Sequence, residues 1–305
     1  MHFTANVTPD IDSLVRFGMR SRLIPRATLL GALTCLCASQ AFSQCRPPRG
    51  SNEARLLALY SVPIVFSSDP ASLSLPSGVF RLSGEAAYIP KASAALQHTS
   101  FCYAARSQNT GLISVFGRPR LAVGLPHGFG VEVSYLPPIT VANATPDLGS
   151  AAFWFTRGVS SRVQLTARVH GTLGIVKGPI TCSRDALQLT DPSAPCYGTK
   201  PSIDEFRPNM AGAEIVASTR PATSTRFGFF GGLGVNQLDP RFRVGFTNLL
   251  GQVDHTRIVV DLTRVTALAG ATMQLGHRCD ASAQAYTSFS DATTVRATLG
   301  CLLNR

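Results

Sequence analysis

Residues 162–176 alternate strictly between apolar and polar side chains. Leu165 and Val169 belong to the apolar set, whereas Gln164 and Arg168 belong to the polar set. Successive side chains of a β-strand point to opposite faces, so this pattern predicts one long strand with an apolar face and a polar face. The strand is more than twice the usual length of about 5–6 residues, and a tilted transmembrane β-strand needs about 9–11.

The same alternation recurs between residues 79 and 303 and predicts a sheet of long strands. The connections also alternate in length: long after the first strand, short after the second, longer after the third and short after the fourth. Membrane β-barrels have short turns at one end and longer loops at the other. The clearest predicted strands cover residues 79–89, 118–125, 128–136, 149–157, 162–176, 209–220, 278–289 and 293–303.

The apolar set changes phase in residues 225–275. Phe227 and Phe229 are apolar on odd positions, but Phe242 and Phe246 are apolar on even ones. If each phase change is a turn, the sheet has 12 strands; if each is a β-bulge, two long strands form a hairpin and the sheet has ten. We favour ten, because the segments beyond the phase changes hold only about five alternating residues, too few to span a bilayer.

The N-terminal residues indicate export. Arg20, Arg22 and Arg26 precede the apolar run 27–38, and small residues follow it, which predicts a secretory signal peptide over residues 1–43 with Met19 as an alternative start.

Between the signal peptide and the first strand, residues 44–77 do not alternate. They predict an N-terminal extension on the periplasmic side with a short helix over 52–59, or alternatively a plug that enters a barrel formed by residues 78–305.

The charge composition does not favour a nucleic-acid partner. The net charge is +11, but only 15% of residues are charged, and 25 of the 28 basic residues are Arg. No zinc-finger spacing, aromatic RNA-binding motif or basic helix accompanies the charge. The mature chain has neither a C-x-x-C pair nor a His pair at zinc-ligand spacing, so we expect no metal and no cofactor.

Six cysteines remain in the mature chain, and an even number suits an oxidising compartment. Cys182 and Cys196 bracket one predicted loop, and Cys279 and Cys301 lie on consecutive predicted strands. Pairing of Cys45 with Cys102 follows only by elimination and is the weakest of the three assignments.

The chain resembles bacterial outer-membrane β-barrel proteins over residues 79–303, in strand pattern rather than in a diagnostic motif. The resemblance implies an all-β, closed, antiparallel up-and-down transmembrane barrel of ten strands. It also implies outer-membrane lipid and the barrel-assembly machinery as partners. A soluble, periplasmic, lipocalin-like barrel with its apolar face inward is the alternative.

An outward apolar face places a polar network in the lumen. Barrels of about eight strands are filled by side chains, so a ten-strand lumen is expected to be mostly occluded. We therefore expect a structural or surface role, or a narrow passive pore, and no enzyme activity. The alternatives are an outer-membrane hydrolase using Asp254 and His255, and an adhesin or ligand-binding barrel using its outer loops. The predicted lumen residues are Arg81, Glu85, Arg118, Arg120, Glu132, Arg162, Arg168, His170, Glu214, Arg226, Asp280 and Arg296.

Overall fold

A computed structural model describes residues 44–99, 101–102, 106–107, 114–219 and 226–304. Ten long antiparallel strands close into a barrel, because each pairs with its neighbours in the chain and the last pairs with the first. The predicted fold class and the strand count of ten are confirmed. The barrel strands are β1 (Phe80–Tyr88), β2 (Val115–Gly124), β3 (Phe129–Leu136), β4 (Thr145–Gly158), β5 (Val163–Gly178), β6 (Met210–Thr219), β7 (Phe227–Leu238), β8 (Leu262–Leu275), β9 (Cys279–Ser288) and β10 (Ala292–Leu302).

The burial pattern along the strands is inverted relative to a soluble protein. On β5, Leu165 and Val169 are 44% and 54% exposed, whereas Gln164 and Arg168 are 8% and 2% exposed. The apolar side chains thus cover the outside of the barrel and the polar ones line its lumen. This arrangement is stable only where the outside is lipid. The soluble alternative, which requires the apolar face inward, is therefore wrong.

The phase change in residues 225–275 is neither a turn nor a bulge. Even-numbered side chains point inward without interruption from Gly228 to Phe246, and again from Ile258 to Leu268. The direction of the side chains stays the same, but their environment changes. Beyond the membrane, the inward side chains of the hairpin pack in an apolar core, and its outward side chains are polar. Phe242 and Ile258 are accordingly buried in that core, so the predicted bulges are absent from these described segments.

A small four-stranded sheet, the outer sheet, extends the barrel wall at the long-loop end. It continues from the last residues of β5, where Val176 to Gly178 pair with the first outer strand. The strands of the outer sheet, in spatial order from β5, are Asp204–Arg207, Arg241–Arg243, Arg257–Val259 and Gln44–Cys45. The hairpin predicted to project beyond the membrane is thus present, and two of its segments belong to this sheet.

Short elements complete the described chain. Two-residue strands pair as His98–Thr99 with Arg106–Ser107 and as Phe246–Thr247 with Val253–Asp254. The helices are α1 (Asn52–Ser61), α2 (Pro70–Leu73) and α3 (Ala94–Gln97), with 3₁₀ turns at Val62–Ile64, Pro126–Gly128 and Arg184–Ala186. Ser51 caps α1 by accepting a hydrogen bond from the Ala54 N–H.

Within the described residues, no helix is long and apolar enough to cross a membrane.

Residues 44–78 lead from the long-loop end of the barrel, through its lumen, to the short-turn end. Gln44–Cys45 pair with a strand at the long-loop end, and α1 lies at the same end, where the Asn52 side chain donates hydrogen bonds to Ala95 and His98. The chain then descends through the lumen, and the Gly78 N–H reaches the Gly124 carbonyl at the opposite end, at 2.8 Å. The structure therefore differs from the favoured prediction of an extension on the periplasmic side. The predicted signal peptide, residues 1–43, lies outside the described residues.

Candidate functional site

Residues 62–73, here called the lumenal segment, run along the barrel interior. The carbonyl oxygens of a non-strand chain need hydrogen-bond donors when they are buried. The inward arginines supply them: Arg118 donates to Ile64 and Val65 at 2.9 and 2.8 Å, and Arg296 donates to Val62 and Val65 at 2.8 and 2.6 Å.

Two further arginines extend this pattern along the segment. Arg120 donates to the Ser67 carbonyl at 2.8 Å, and Arg168 donates to the Phe66 carbonyl at 2.5 Å. A guanidinium carries five N–H donors, so each arginine can bind a backbone carbonyl and still pair with a carboxylate. The lumenal segment is therefore held by side chains that also belong to the barrel's own ion pairs.

Phe66 lies at the centre of this contact and is fully buried. The guanidinium carbons of Arg118, Arg120 and Arg168 lie 4.7, 4.5 and 5.0 Å from its ring centroid. These distances are within the range of cation–π attraction, which strengthens where the cation is desolvated.

The charged groups in the lumen form two groups of ion pairs, one around Glu85 and Glu132 and a smaller one around Arg81. Glu132 binds Arg120 at 2.8 Å and Arg168 at 3.0 Å, and Arg168 also binds Glu214 at 2.9 Å. The other ion pairs join Arg118 to Glu85 at 2.8 Å, Arg296 to Glu85 at 3.6 Å, Arg81 to Asp69 at 2.6 Å, Arg120 to Glu85 and Arg81 to Asp280.

The lumenal segment contributes one carboxylate to these ion pairs. Five arginines face five carboxylates, of which four belong to barrel strands and the fifth is Asp69 of the segment. An unpaired charge in a buried site costs several kcal/mol, and equal numbers of arginines and carboxylates limit that cost.

The structure places the twelve predicted lumen residues unequally. Nine of them belong to the two groups of ion pairs. His170 is buried in the lumen, and neither of its ring nitrogens has a hydrogen-bond partner among the described residues. The placement of Arg162 and Arg226 in the lumen is wrong. Both are exposed in the bends that precede β5 and β7. The prediction is wrong because the alternating pattern begins one residue before each strand does.

Three disulfides join the pairs that the sequence suggested, at S–S distances of 2.08, 2.13 and 2.11 Å: Cys45 with Cys102, Cys182 with Cys196 and Cys279 with Cys301. Cys45–Cys102 attaches the chain that leads into the lumenal segment to the first long loop. Cys182–Cys196 closes part of the longest loop, and Cys279–Cys301 joins the neighbouring strands β9 and β10.

Hydrogen bonds from the first long loop, which follows β1, hold α1 in place. The Glu53 carboxylate accepts from the Phe101 N–H at 2.6 Å and from the Cys102 N–H at 3.2 Å. Burial raises the pKa of Glu53, but hydrogen bonds from its own N–H, from these two N–H groups and from Ser51 together keep the pKa below its ordinary value.

A cavity of about 460 Å³, here called the outer cavity, lies at the long-loop end above the lumenal segment. One wall is the α1 surface at Leu56, Leu57 and Tyr60, and the facing wall is the inner surface of the outer sheet at Phe206, Phe242 and Ile258. Small-molecule sites typically measure about 300–1,000 Å³ and are lined mainly by apolar side chains.

Sequence reasoning missed the outer cavity. Its walls come from α1, from the ends of the barrel strands and from the long loops, which are far apart in the chain. One signal was present, since Phe242 and Ile258 are apolar at positions where a continuous lumen would be polar.

The residues of the hydrolase alternative, Asp254 and His255, lie in the hairpin beyond β7. Asp254 accepts hydrogen bonds from the N–H and hydroxyl of Thr256 at 2.9 and 2.7 Å, within its own turn. No group of three or more His, Cys, Asp or Glu side chains that could hold a metal occurs among the residues the structure describes.

The closed strand pairing, the outward apolar side chains and the charged interior together identify the architecture. The chain folds as a transmembrane β-barrel. No protein-family model matches it, and no curated protein matches it in sequence.

Among solved structures, the fold is similar to Ail, the attachment invasion locus protein of Yersinia pestis, at 10% identity, with 74% of this chain and 98% of that chain covered and a TM-score of 0.30. Ail in complex with the heparin analogue sucrose octasulfate matches at 8% identity, covering 73% of this chain and 95% of that one, with a TM-score of 0.25. A mutant of the Rh. blastica porin matches at 11% identity, covering 74% and 99%, with a TM-score of 0.20. Scores this low carry no argument about function, and the assignment of the barrel rests on strand pairing and burial.

Proposed function

We propose that this protein is an outer-membrane barrel with a closed lumen that binds an apolar small molecule in its outer cavity. The observation that carries the proposal is the outer cavity itself, with its almost wholly apolar lining at the long-loop end. Longer loops of outer-membrane barrels face outside the cell, so the cavity opens toward the cell surface.

The lumenal segment supports binding rather than conduction. It fills the lumen with backbone whose carbonyls are bound by Arg118, Arg120, Arg168 and Arg296. An aqueous path for ions requires continuous water, and such channels belong to barrels of about 16–18 strands. The rigid barrel then serves as a scaffold that positions loops for recognition, and the proposed activity is binding, not catalysis.

The class of ligand follows from the lining. Leu56, Phe206 and Ile258 offer dispersion contacts and few hydrogen bonds, so a molecule rich in polar groups would lose its hydration without compensation. An apolar ring system or an alkyl chain fits this lining, with Glu53 and Thr99 as the polar groups at the wall.

Ligand titration tests the proposal. The purified protein in amphipol is titrated with 1-N-phenylnaphthylamine, an apolar dye whose emission rises in dry surroundings, and we expect saturable binding. Ala144→Trp and Val176→Trp place an indole in the cavity and are expected to abolish saturation. Ala285→Trp, on the outward face of β9, is the matched control and leaves binding unchanged.

Heat-modifiable migration on gels shows that each variant is folded. Unsaturable binding by the wild type, or equal binding by the filled variants, contradicts the proposed site. Single-channel recording in planar bilayers tests the closed lumen separately. We expect no stable conductance steps, and steady ion current from the wild-type protein contradicts a closed lumen.

A further inference from the structure

The outward side of the outer sheet carries a cluster of arginines, here called the arginine face: Arg207, Arg241, Arg243 and Arg257. The side chains of Arg207, Arg241 and Arg243 are 53%, 54% and 42% exposed, and Arg257 is also exposed. The alternate residues of the same strands, Phe206, Phe242 and Ile258, point to the apolar core instead. The arginine face and the outer cavity therefore lie on opposite sides of one sheet.

The strand register brings like charges together on this face. Arg207 lies directly opposite Arg241, and Arg243 lies directly opposite Arg257. Side chains directly opposite each other on antiparallel strands have Cβ atoms about 4.5–5.5 Å apart, and like charges at that distance are destabilising. Two such pairs lie side by side, so binding of an anion between the arginines would reduce their mutual repulsion.

Protein carboxylates balance this charge only in part. Glu205 lies 3.2 Å from Arg243 and 3.8 Å from Arg207, and Asp239 lies 2.6 Å from Arg241. A third carboxylate, Asp261, also attracts Arg241 electrostatically. Lys177 lies opposite Glu205 on the neighbouring strand and adds a fifth cation. A shallow concavity of about 340 Å³ runs between these side chains.

The position of the arginine face relative to the membrane identifies its ligand. The outward residues of β5 are apolar from Leu165 to Ile175, and Lys177 follows at the next outward position. Ten residues span about 33 Å along a strand, which at a tilt of 35–45° is roughly the 25 Å height of a barrel's apolar band. The arginine face continues the same outward surface just beyond that band, at the depth of the lipid headgroups.

We propose that the arginine face binds the phosphate groups of anionic lipids in the outer leaflet. Guanidinium groups bind phosphate with two parallel N–H···O bonds, and a pair of opposed arginines can bind one phosphate from both sides. The bound phosphate would then offset the repulsion between the cross-strand arginines. This site is separate from the outer cavity and does not depend on the proposed function.

Lipid retention by the full chain tests the proposal. The purified protein is titrated in mixed micelles with lipid A, which carries two phosphates, and the bound lipid is counted by native mass spectrometry. The quadruple variant with Arg207, Arg241, Arg243 and Arg257 changed to Gln is expected to bind at least about tenfold more weakly, since it lacks the guanidinium groups that would bind phosphate.

The opposite end of the barrel provides a matched control. A variant with Arg157, Arg162, Arg226 and Arg278 changed to Gln loses the same charge from exposed positions at the short-turn end. We expect it to retain lipid A as the wild type does. Equal loss of binding in both variants would show that only net charge matters and would overturn the site.

Four further results test the ligand, the folding of the variant and the independence of the two sites. Equal retention of dephosphorylated lipid A overturns the proposal. Binding of soluble pyrophosphate as tight as that of lipid A also overturns it, because it points to a free anion as the ligand.

If the quadruple variant does not show heat-modifiable migration, the double variant Arg241→Gln with Arg243→Gln is used. We expect the double variant to bind lipid A at least threefold more weakly, and unchanged binding contradicts the site. The cavity variant Ala144→Trp is expected to retain lipid A, so failure of one site is distinguishable from failure of the other.

Discussion

Asp69 of the lumenal segment binds Arg81 of β1 inside the barrel, with 2.6 Å between the Arg81 Nη1 and the Asp69 Oδ2. Both side chains are almost completely buried, and Arg81 also pairs with Asp280 of β9. The Arg81 guanidinium therefore joins the lumenal segment to β1 and β9. The predictions below test this junction, the lipid-facing surface and the attachment at the long-loop end.

Asp69→Asn leaves five buried arginines with four carboxylates. Arg81 keeps Asp280 as a partner but loses its bond to Asp69, and a buried hydrogen bond between charged groups is worth about 1.5–3 kcal/mol, so we expect the free energy of unfolding to fall by that amount. Urea unfolding in lipid vesicles, followed by the fluorescence of Trp154, measures the change, since Trp154 is the chain's only tryptophan and is buried. Asp185→Asn, at an exposed loop carboxylate, is the control with no expected effect.

Phe66→Leu separates cation–π attraction from simple filling of space. Leucine keeps an apolar side chain in the site but offers no ring face to Arg118, Arg120 and Arg168. We expect a loss of about 1–2 kcal/mol for Phe66→Leu and about 3–5 kcal/mol for Phe66→Ala, measured by the same unfolding experiment. Equal stability of the leucine variant and the wild type would show that the ring face contributes nothing.

Val169→Arg tests the lipid-facing surface. Val169 is 54% exposed and lies near the middle of β5 on its outward face. A charged side chain at the bilayer midplane of a barrel costs about 2–4 kcal/mol, so the variant should unfold at lower urea in vesicles. Leu189→Arg, at a 60% exposed position in the longest loop, should be neutral because water surrounds it. A destabilisation of both variants by the same amount would contradict the placement of the membrane.

Cys45→Ser removes the covalent link between the N-terminal residues and the first long loop. Loss of a disulfide typically costs about 2–4 kcal/mol, and here the closed segment has a sequence separation of 57 residues. We expect the barrel to keep its heat-modifiable migration while trypsin cuts faster after Arg49, which precedes Gly50. Cleavage at the wild-type rate would show that the hydrogen bonds of α1 suffice. Cys182→Ser, in a separate loop, serves as the control for loss of a disulfide.

Glu53 predicts a pH dependence at the same place. Its pKa is lowered in the folded protein, so its stabilising effect is present at pH values above its ordinary pKa and is lost as the pH falls through the lowered one. Glu53→Gln should therefore unfold at a lower temperature than the wild type at pH 7, and the difference should shrink in acid. A constant difference across that range would contradict a role for the ionised carboxylate.

Much of the barrel was predictable from the alternation of side chains. The period-two pattern in β1, β3, β5 and β9 depends only on local geometry, and the different lengths of turns and loops indicated the two ends. The inward positions of Arg81, Arg118 and Glu132 followed from the same pattern. Arg162 and Arg226 did not, because alternation carries no mark of where a strand begins.

The sequence by itself thus determined a β-barrel with lipid outside and charge inside, since a bilayer permits few other ways to satisfy such strands. Only the tertiary structure decided that residues 62–73 fill the lumen and that the hairpin beyond β7 encloses an apolar cavity. Both depend on long-range contacts between side chains far apart in the chain, such as Arg168 with Phe66 and α1 with the outer sheet. A local pattern shows which faces are apolar, but not what each face will contact.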